Sequence, residues 1–257
     1  MKGKGSISSP TSASQEIHVG TSGWNYPCFV GCLYPPHTPQ RRYLEAYAER
    51  LRTVELNASF YRSFSRKTWQ GWHERTPSGF LWAVKAPRYI THIRRLDVSG
   101  DSVDRFWNDV SPLGEKFAAA LYQLPPNLVL DADLLQRFLE LQPPKRKIAI
   151  EARHPSWHQE AVWDALRAKN MAWVVSDTAG RYPMSLKVTA DFAYVRLHGP
   201  KQLYRGAYGE SRLRKWLHTI RGFGVETFIY FDNTDDGSAA LDALLMVKII
   251  ETEKEKA

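Results

Sequence analysis

The residues with the most chemistry to offer recur two apart. Glu151 and Arg153 are spaced this way, as are Glu55 and Asn57, Tyr230 and Asp232, and the trio Tyr194, Arg196 and His198. A β-strand turns successive side chains to opposite faces, so residues two apart share one face. The alternate positions are apolar: Val54 and Leu56, Ile148 and Ile150, Val195 and Leu197, Ile229 and Phe231. If the apolar set packs on helices, the polar set faces the other way. Lys85, Gln123 and Asp177 extend that polar set, each at the end of a short β-rich run. Carboxylates, an imidazole and cations on one face suit proton transfer on a substrate held by charge. Glu151 is expected to act as general base and His198 as general acid. Lys85 and Arg196 would stabilise developing negative charge, while Arg153, Gln123 and Asn57 orient the substrate. Glu55 comes early in its run and is expected to lie deep.

These residues need elements to position them. Eight β-rich runs are visible: Ile17–Thr21, Thr53–Asn57, Phe80–Lys85, Phe117–Gln123, Lys147–Glu151, Met171–Asp177, Phe192–His198 and Glu226–Asp232. Helical stretches follow nearly all of them, as in Gln40–Leu51, where Leu44, Tyr47, Ala48 and Leu51 keep i, i+3, i+4, i+7 spacing. Asp131 is a ready N-cap for the helix carrying Leu134, Leu135, Phe138 and Leu139. After the sixth run no strong helix is visible, only Arg181–Thr189. Strands alternating with helices imply parallel βαβ units, and eight of them fit a single (β/α)8 TIM-type barrel over residues 17–251. The inward faces of such strands converge at the C-terminal mouth, where barrel chemistry sits. An open doubly wound sheet is the competing layout. Gly20-Thr21-Ser22-Gly23 lacks the glycine spacing that layout uses for dinucleotides, and no Walker loop, HExxH or GxSxG occurs.

The composition of the 257 residues is globular, with 43% hydrophobic and 24% charged residues. Residues 1–16 are rich in Ser, Gly, Pro and Thr, lack the apolar core of a signal peptide, and are expected to be a disordered tail. Residues 252–257 read as a charged C-terminal tail. No apolar run is long enough to span a membrane, so no membrane partner is expected. Cys28 and Cys32 are the only cysteines. Their C-x3-C spacing without a second pair excludes a four-cysteine zinc site, and they read as small apolar fillers in a reducing cytoplasm. The net charge of +8 favours acidic partners. Arg62, Arg66, Lys67, Arg88, Arg94, Arg95, Arg181, Lys201 and Arg205 follow the runs as a basic rim. Trp24, Tyr61, Trp157, Tyr204 and Tyr208 are among the aromatics interleaved with it. Such a mouth suits a small anionic or phosphorylated substrate, and the rim would also suit nucleic acid. His198-Gly199-Pro200-Lys201 reads as a turn able to offer N–H groups to phosphate.

Seven segments in chain order resemble the YecE-like family, a domain of unknown function (number seventy-two). They are Gly20-Thr21-Ser22-Gly23-Trp24 with Tyr26, Gly31 and Tyr34-Pro35; Val54-Glu55 with Asn57 and Phe60-Tyr61; Lys85-Ala86-Pro87 with Ile90-Thr91; Gln123-Leu124-Pro125-Pro126; Glu151-Ala152-Arg153-His154 with Ser156-Trp157; Tyr194-Val195-Arg196-Leu197-His198-Gly199; and Tyr230-Phe231-Asp232-Asn233. The resemblance implies a TIM-type barrel akin to the sugar-isomerase and endonuclease IV class, with no settled reaction. Motif residues His154, Tyr230, Asp232 and Asn233 join Trp24, Tyr61, Trp157 and Tyr208 as expected substrate-binding positions. Phe29 stands where the family usually has Trp, and Asp232 where it usually has Asn, which adds a carboxylate at the mouth.

Three functions compete. The first is metal-independent acid–base chemistry on an anionic substrate. The second is a metal-dependent hydrolase or isomerase with a divalent ion on Glu55, Glu151, Asp177, His198 and Asp232. Against it, Lys85, Arg153 and Arg196 compete for the same carboxylates, and only His154 and His198 lie at strand ends. No metal residue is assigned. The third is a non-catalytic nucleic-acid binder using the rim.

Overall fold

Each of the eight β-rich runs forms a strand. A computed structural model describes residues 15–255. The strands are β1 (Ile17–Thr21), β2 (Thr53–Leu56), β3 (Leu81–Lys85), β4 (Phe117–Gln123), β5 (Ile148–Glu151), β6 (Ala172–Asp177), β7 (Phe192–Leu197) and β8 (Glu226–Phe231). All their pairings are parallel, in the order β1-β8-β7-β6-β5-β4-β3-β2. The helices are α1 (Tyr43–Arg50), α2 (Ala58–Tyr61), α3 (Arg66–Glu74), α4 (Gly100–Val110), α5 (Ala132–Glu140), α6 (Glu160–Ala168), α7 (Gly209–Arg221) and α8 (Ser238–Lys254). This is a single (β/α)8 TIM-type barrel. Asp131 caps α5 as expected, accepting from the Leu134 N–H at 2.9 Å. Between β6 and β7, residues 178–191 form no helix, in keeping with the weak pattern there.

The ring closes at a seam between β1 and β2. One parallel bridge, Ser22 to Glu55, joins the edges. Below it the Tyr47 hydroxyl substitutes for a ladder bond. It accepts from the Thr21 N–H at 2.9 Å and donates to the Thr53 carbonyl at 2.9 Å. Gly20 is required here, because a Cβ would lie 2.2 Å from the Thr53 carbonyl oxygen.

Two cores follow from the strand phase. Val54, Leu56, Ile148, Ile150, Val195, Leu197, Ile229 and Phe231 pack outward on the helices. Ala83, Ala119, Leu121, Ala149, Val174, Tyr194, Phe228 and Tyr230 fill the lumen. The many alanines make room for the rings of Tyr194 and Tyr230, and layers of mixed size fill a closed barrel.

Several expectations need correction. On β6, Ala172 and Val174 face the lumen while Trp173 and Val175 face the helices, so Asp177 shares the outward phase. Both phases of that strand are apolar, which left its direction open. Helix α8 runs through Lys254, because Glu253 pairs with Arg214 and Arg221 of α7, so the chain does not become a tail at residue 252. The Gln15 side chain donates to the Ile220 and Val225 carbonyls, which ties down the end of the expected N-terminal tail. Residues 1–14 lie outside the described residues. Cys28 is exposed and not a buried filler. No described helix is long and apolar enough to cross a membrane.

Candidate active site

Arg196 rises from β7 into the top of the lumen and is fully buried. Isolated, such a charge would be prohibitive, so its partners define the site. Its Nε lies 3.0 Å from Glu55 Oε2 and its Nη2 lies 2.8 Å from Glu55 Oε1, a two-pronged contact. Nη1 donates to Glu151 Oε2 at 2.7 Å, and Nη2 to Asp232 Oδ2 at 3.0 Å. One guanidinium thus holds carboxylates from β2, β5 and the end of β8. Glu55 also accepts from Ser22 Oγ at 2.6 Å and from the Tyr194 hydroxyl at 2.7 Å, which fixes it as the deep floor. Glu151 accepts at its other oxygen from Arg153 Nε at 2.9 Å. Burial opposes ionisation of Glu151, but Arg196 and Arg153 outweigh it and hold its pKa well below the usual carboxylate range. Asp232 is lowered too, burial again being outweighed by Arg196.

His198 is fully buried beside this hub. Arg196 Nη1 lies 3.3 Å from its Nε2. An arginine only donates, so Nε2 is the acceptor and the ring proton sits on Nδ1. Nδ1 lies 2.9 Å from Asp232 Oδ2, but off the direction a ring N–H hydrogen bond requires. That contact is therefore a close electrostatic approach, improved by a small rotation of either group.

Lys85, at the end of β3, differs from the arginines. It is half-buried, and among the described residues its ammonium makes no salt bridge or hydrogen bond. Its Nζ sits 4.3 Å above the Phe60 ring. Burial first, and then Arg196, push its pKa down to about 8. His92 lies on a π-helical turn, Tyr89–Ile93, that follows β3. Its ring meets Phe60 edge-on, and burial together with Lys85 and Arg153 lowers its pKa to about 4. Arg153 faces the Tyr182 ring at 5.0 Å, and Tyr204, with a left-handed φ of 67°, sets its ring against His198. Asp232 Oδ1 has no hydrogen-bond partner among the described residues, nor has the buried Oδ1 of Asn57. Partnerless polar atoms in a folded protein call for an explanation.

The structure thus brings together Lys85, Glu151, Arg153, Arg196, His198 and Asp232. Asn57, with Trp24, lines a cavity of about 190 Å³ beside Arg62, Phe64 and Trp72. Other expected positions are engaged elsewhere. Tyr61 points outward and is 73% exposed. Gln123 donates to the Leu124 carbonyl, and the Trp157 indole to the Leu128 carbonyl. His154 accepts from the Ser156 N–H to start a short 3-10 turn. Tyr230 lies deep in the lumen, 2.7 Å from Thr53 Oγ1. Tyr208 and Asn233 both bond Asp242 of α8, bracing two loops. Gly199 gives its N–H to the Tyr208 hydroxyl, so that turn does not offer it to phosphate. Sequence reasoning missed His92 and Tyr182; neither lies on a strand, so period 2 could not place them.

A divalent ion does not fit this donor set. Glu55, Glu151 and Asp232 converge on the Arg196 guanidinium, which takes the position a cation bridging them would need. The described residues do bring Glu16, His18 and Glu226 together at the opposite, N-terminal end of the barrel, but there Lys147 pairs with Glu226.

A family model described as "Protein of unknown function DUF72" matches residues 18–257. The chain is 26% identical to the UPF0759 protein YunF of Bacillus subtilis over 274 aligned residues, covering 92% of this chain and 95% of that protein. A crystal structure of a DUF72 family protein from Thermotoga maritima superposes with a TM-score of 0.84 at 28% identity, covering 92% of this chain and all of that one. Another, from Enterococcus faecalis, gives a TM-score of 0.80 at 19% identity, covering 91% and 95%, a likeness of fold.

Proposed function

The chain belongs to the DUF72 family of proteins of unknown function, and from that premise we propose that it is an enzyme doing acid–base chemistry on a small anionic substrate at the barrel mouth. The observation that carries this reading is the Lys85 amine. Its ammonium has no direct hydrogen-bond or salt-bridge partner among the described residues, with Arg196 and the carboxylates of Glu151, Asp232 and Glu55 acting on it from further off, so an anionic group at the mouth would give it one. Its pKa of about 8 lets it give or take a proton near neutral pH, where a general acid or base works best. Glu151 is held ionised and is therefore a weak base. Its part is to position Arg153 and Arg196, while the free Oδ1 of Asp232 is the carboxylate oxygen open to a substrate. His198 keeps the Asp232 and Arg196 side chains in place.

The test reads Lys85 directly. Amine-reactive labelling of the intact protein is followed by peptide mapping across pH. Lys85 labelling should reach half its maximum near pH 8, while exposed lysines follow an ordinary pKa of about 10.4. Inorganic phosphate or a small carboxylate should slow Lys85 selectively. A Lys85 that titrates with the surface lysines and ignores anions would overturn the reading.

A further inference from the structure

We propose that Lys85 is a covalent nucleophile, its neutral amine adding to the aldehyde or ketone carbon of a small carbonyl compound that also carries a carboxylate or phosphate. This rests on the reading above, since it uses the same mouth, and it names the substrate class.

Imine formation sets requirements beyond those of proton transfer. The amine must be free of carboxylate partners, which would hold it as ammonium. Lys147, Lys169 and Lys187 each pair with a glutamate, and Lys116 donates to the His73 and Thr76 carbonyls. Among the described lysines, Lys85 alone combines partial burial with the absence of any hydrogen bond or salt bridge. The nitrogen must also be reachable. Lys85 is only partly buried as a residue, at the C-terminal end of β3. Its surroundings must favour the neutral form. Burial first and then Arg196 do so, against the opposing pull of Glu151, Asp232 and Glu55, and desolvation activates a lysine amine. The acid group of the substrate needs a cation close by. Arg153, which acts on His92 together with Lys85, supplies one, with its carboxylate partner Glu151 engaging Nε only.

The step balances without a further reagent. The amine nitrogen bonds to the carbonyl carbon, and its N–H proton passes to the new alkoxide. The resulting hydroxyl takes one more proton and leaves as water, and the nitrogen lone pair closes the C=N bond of a protonated imine. Overall, amine, carbonyl and one proton give iminium and water. The Thr91 hydroxyl engages His92 Nδ1 at 2.9 Å, leaving Nε2 of a neutral ring to relay the proton.

The experiment uses the whole protein with glyoxylate as the probe and cyanoborohydride to trap the imine, followed by peptide mapping. Propanal serves as the uncharged control. Lys85 should be reduced onto glyoxylate about ten-fold faster than the exposed lysines, given its larger neutral fraction. Arg153→Met should slow glyoxylate labelling of Lys85 several-fold more than it slows propanal labelling, and an equal effect on both would overturn the substrate class. Uniform labelling of all lysines by glyoxylate would overturn the inference. If Lys85 still titrates near pH 8 in that case, the proton-transfer reading survives alone; if it does not, both fall. The mapping is done on the unmodified protein, so the test remains decisive even where a variant fails to fold.

Discussion

At the residue scale, Arg196 organises the mouth. Three carboxylates converge on one guanidinium, so removing it takes an ion-pair partner from each of them. Arg196→Met should destabilise the fold by about 3–5 kcal/mol, the usual cost of deleting one partner of a buried ion pair. Urea unfolding monitored by circular dichroism measures this. A loss within about 0.5 kcal/mol, typical of surface changes, would show that the hub does not bear on stability. Lys85, Glu151, Arg196 and His198 were all legible in the sequence, because period-2 spacing at strand ends names the inward face. Their division of labour was not. Nothing in the spacing says that Arg196 occupies Glu55, Glu151 and Asp232 at once, and that pairing leaves Lys85 as the free cation. In the proposed reading, the acid–base role expected of Glu151 and His198 passes to Lys85 for this three-dimensional reason. Gln123, Trp157 and Tyr208 carried the right residue types, yet each spends its polar atom on a backbone carbonyl or a loop brace.

At the element scale, all eight strands and most helices were legible, since apolar alternation and caps are local signals. The direction of β6 was not, because Trp173, Val174 and Val175 read as apolar on both faces. Nor was the closure of the ring, which depends on a side chain. Tyr47 bridges β1 and β2 from α1, and its place in an i, i+4 pattern marked it only as core. Tyr47→Phe keeps the ring packing but leaves the Thr21 N–H and the Thr53 carbonyl without that hydroxyl. The expected cost is about 2 kcal/mol, in the range for unsatisfied buried backbone groups. Thermal unfolding checks it, and a variant as stable as the parent would mean the two edges pair directly. The span 178–191 is the converse case, in which a weak sequence pattern correctly marked a missing helix.

At the scale of the whole molecule, charge pairing sets the response to pH. Glu151 and Asp232 have folded-state pKa values below the usual range, and Glu226, held by His18 and Lys147, is lowered to about 2. Carboxylates of this kind stabilise the fold above their unfolded pKa of about 4, and the contribution is lost as pH falls through the folded value. The melting temperature should therefore be flat near neutrality and drop steeply from about pH 4.5 toward pH 2. Lys85 works with the opposite sign. Its folded pKa lies below the unfolded one, so its burial costs stability at pH 7, and the cost is relieved as pH rises past about 8. A melting temperature that stays level down to pH 2 would contradict the pairing.

That lone ammonium has one more consequence. Burial holds Lys85 below its ordinary pKa although Glu151, Asp232 and Glu55 pull it upward, so an anion docked on it would shift its equilibrium further toward the protonated side. Docking then draws hydrogen ions from the medium. Near pH 8 the heat of association will change with the ionisation enthalpy of the buffer, which makes the molecule report on its own occupancy before any product is known.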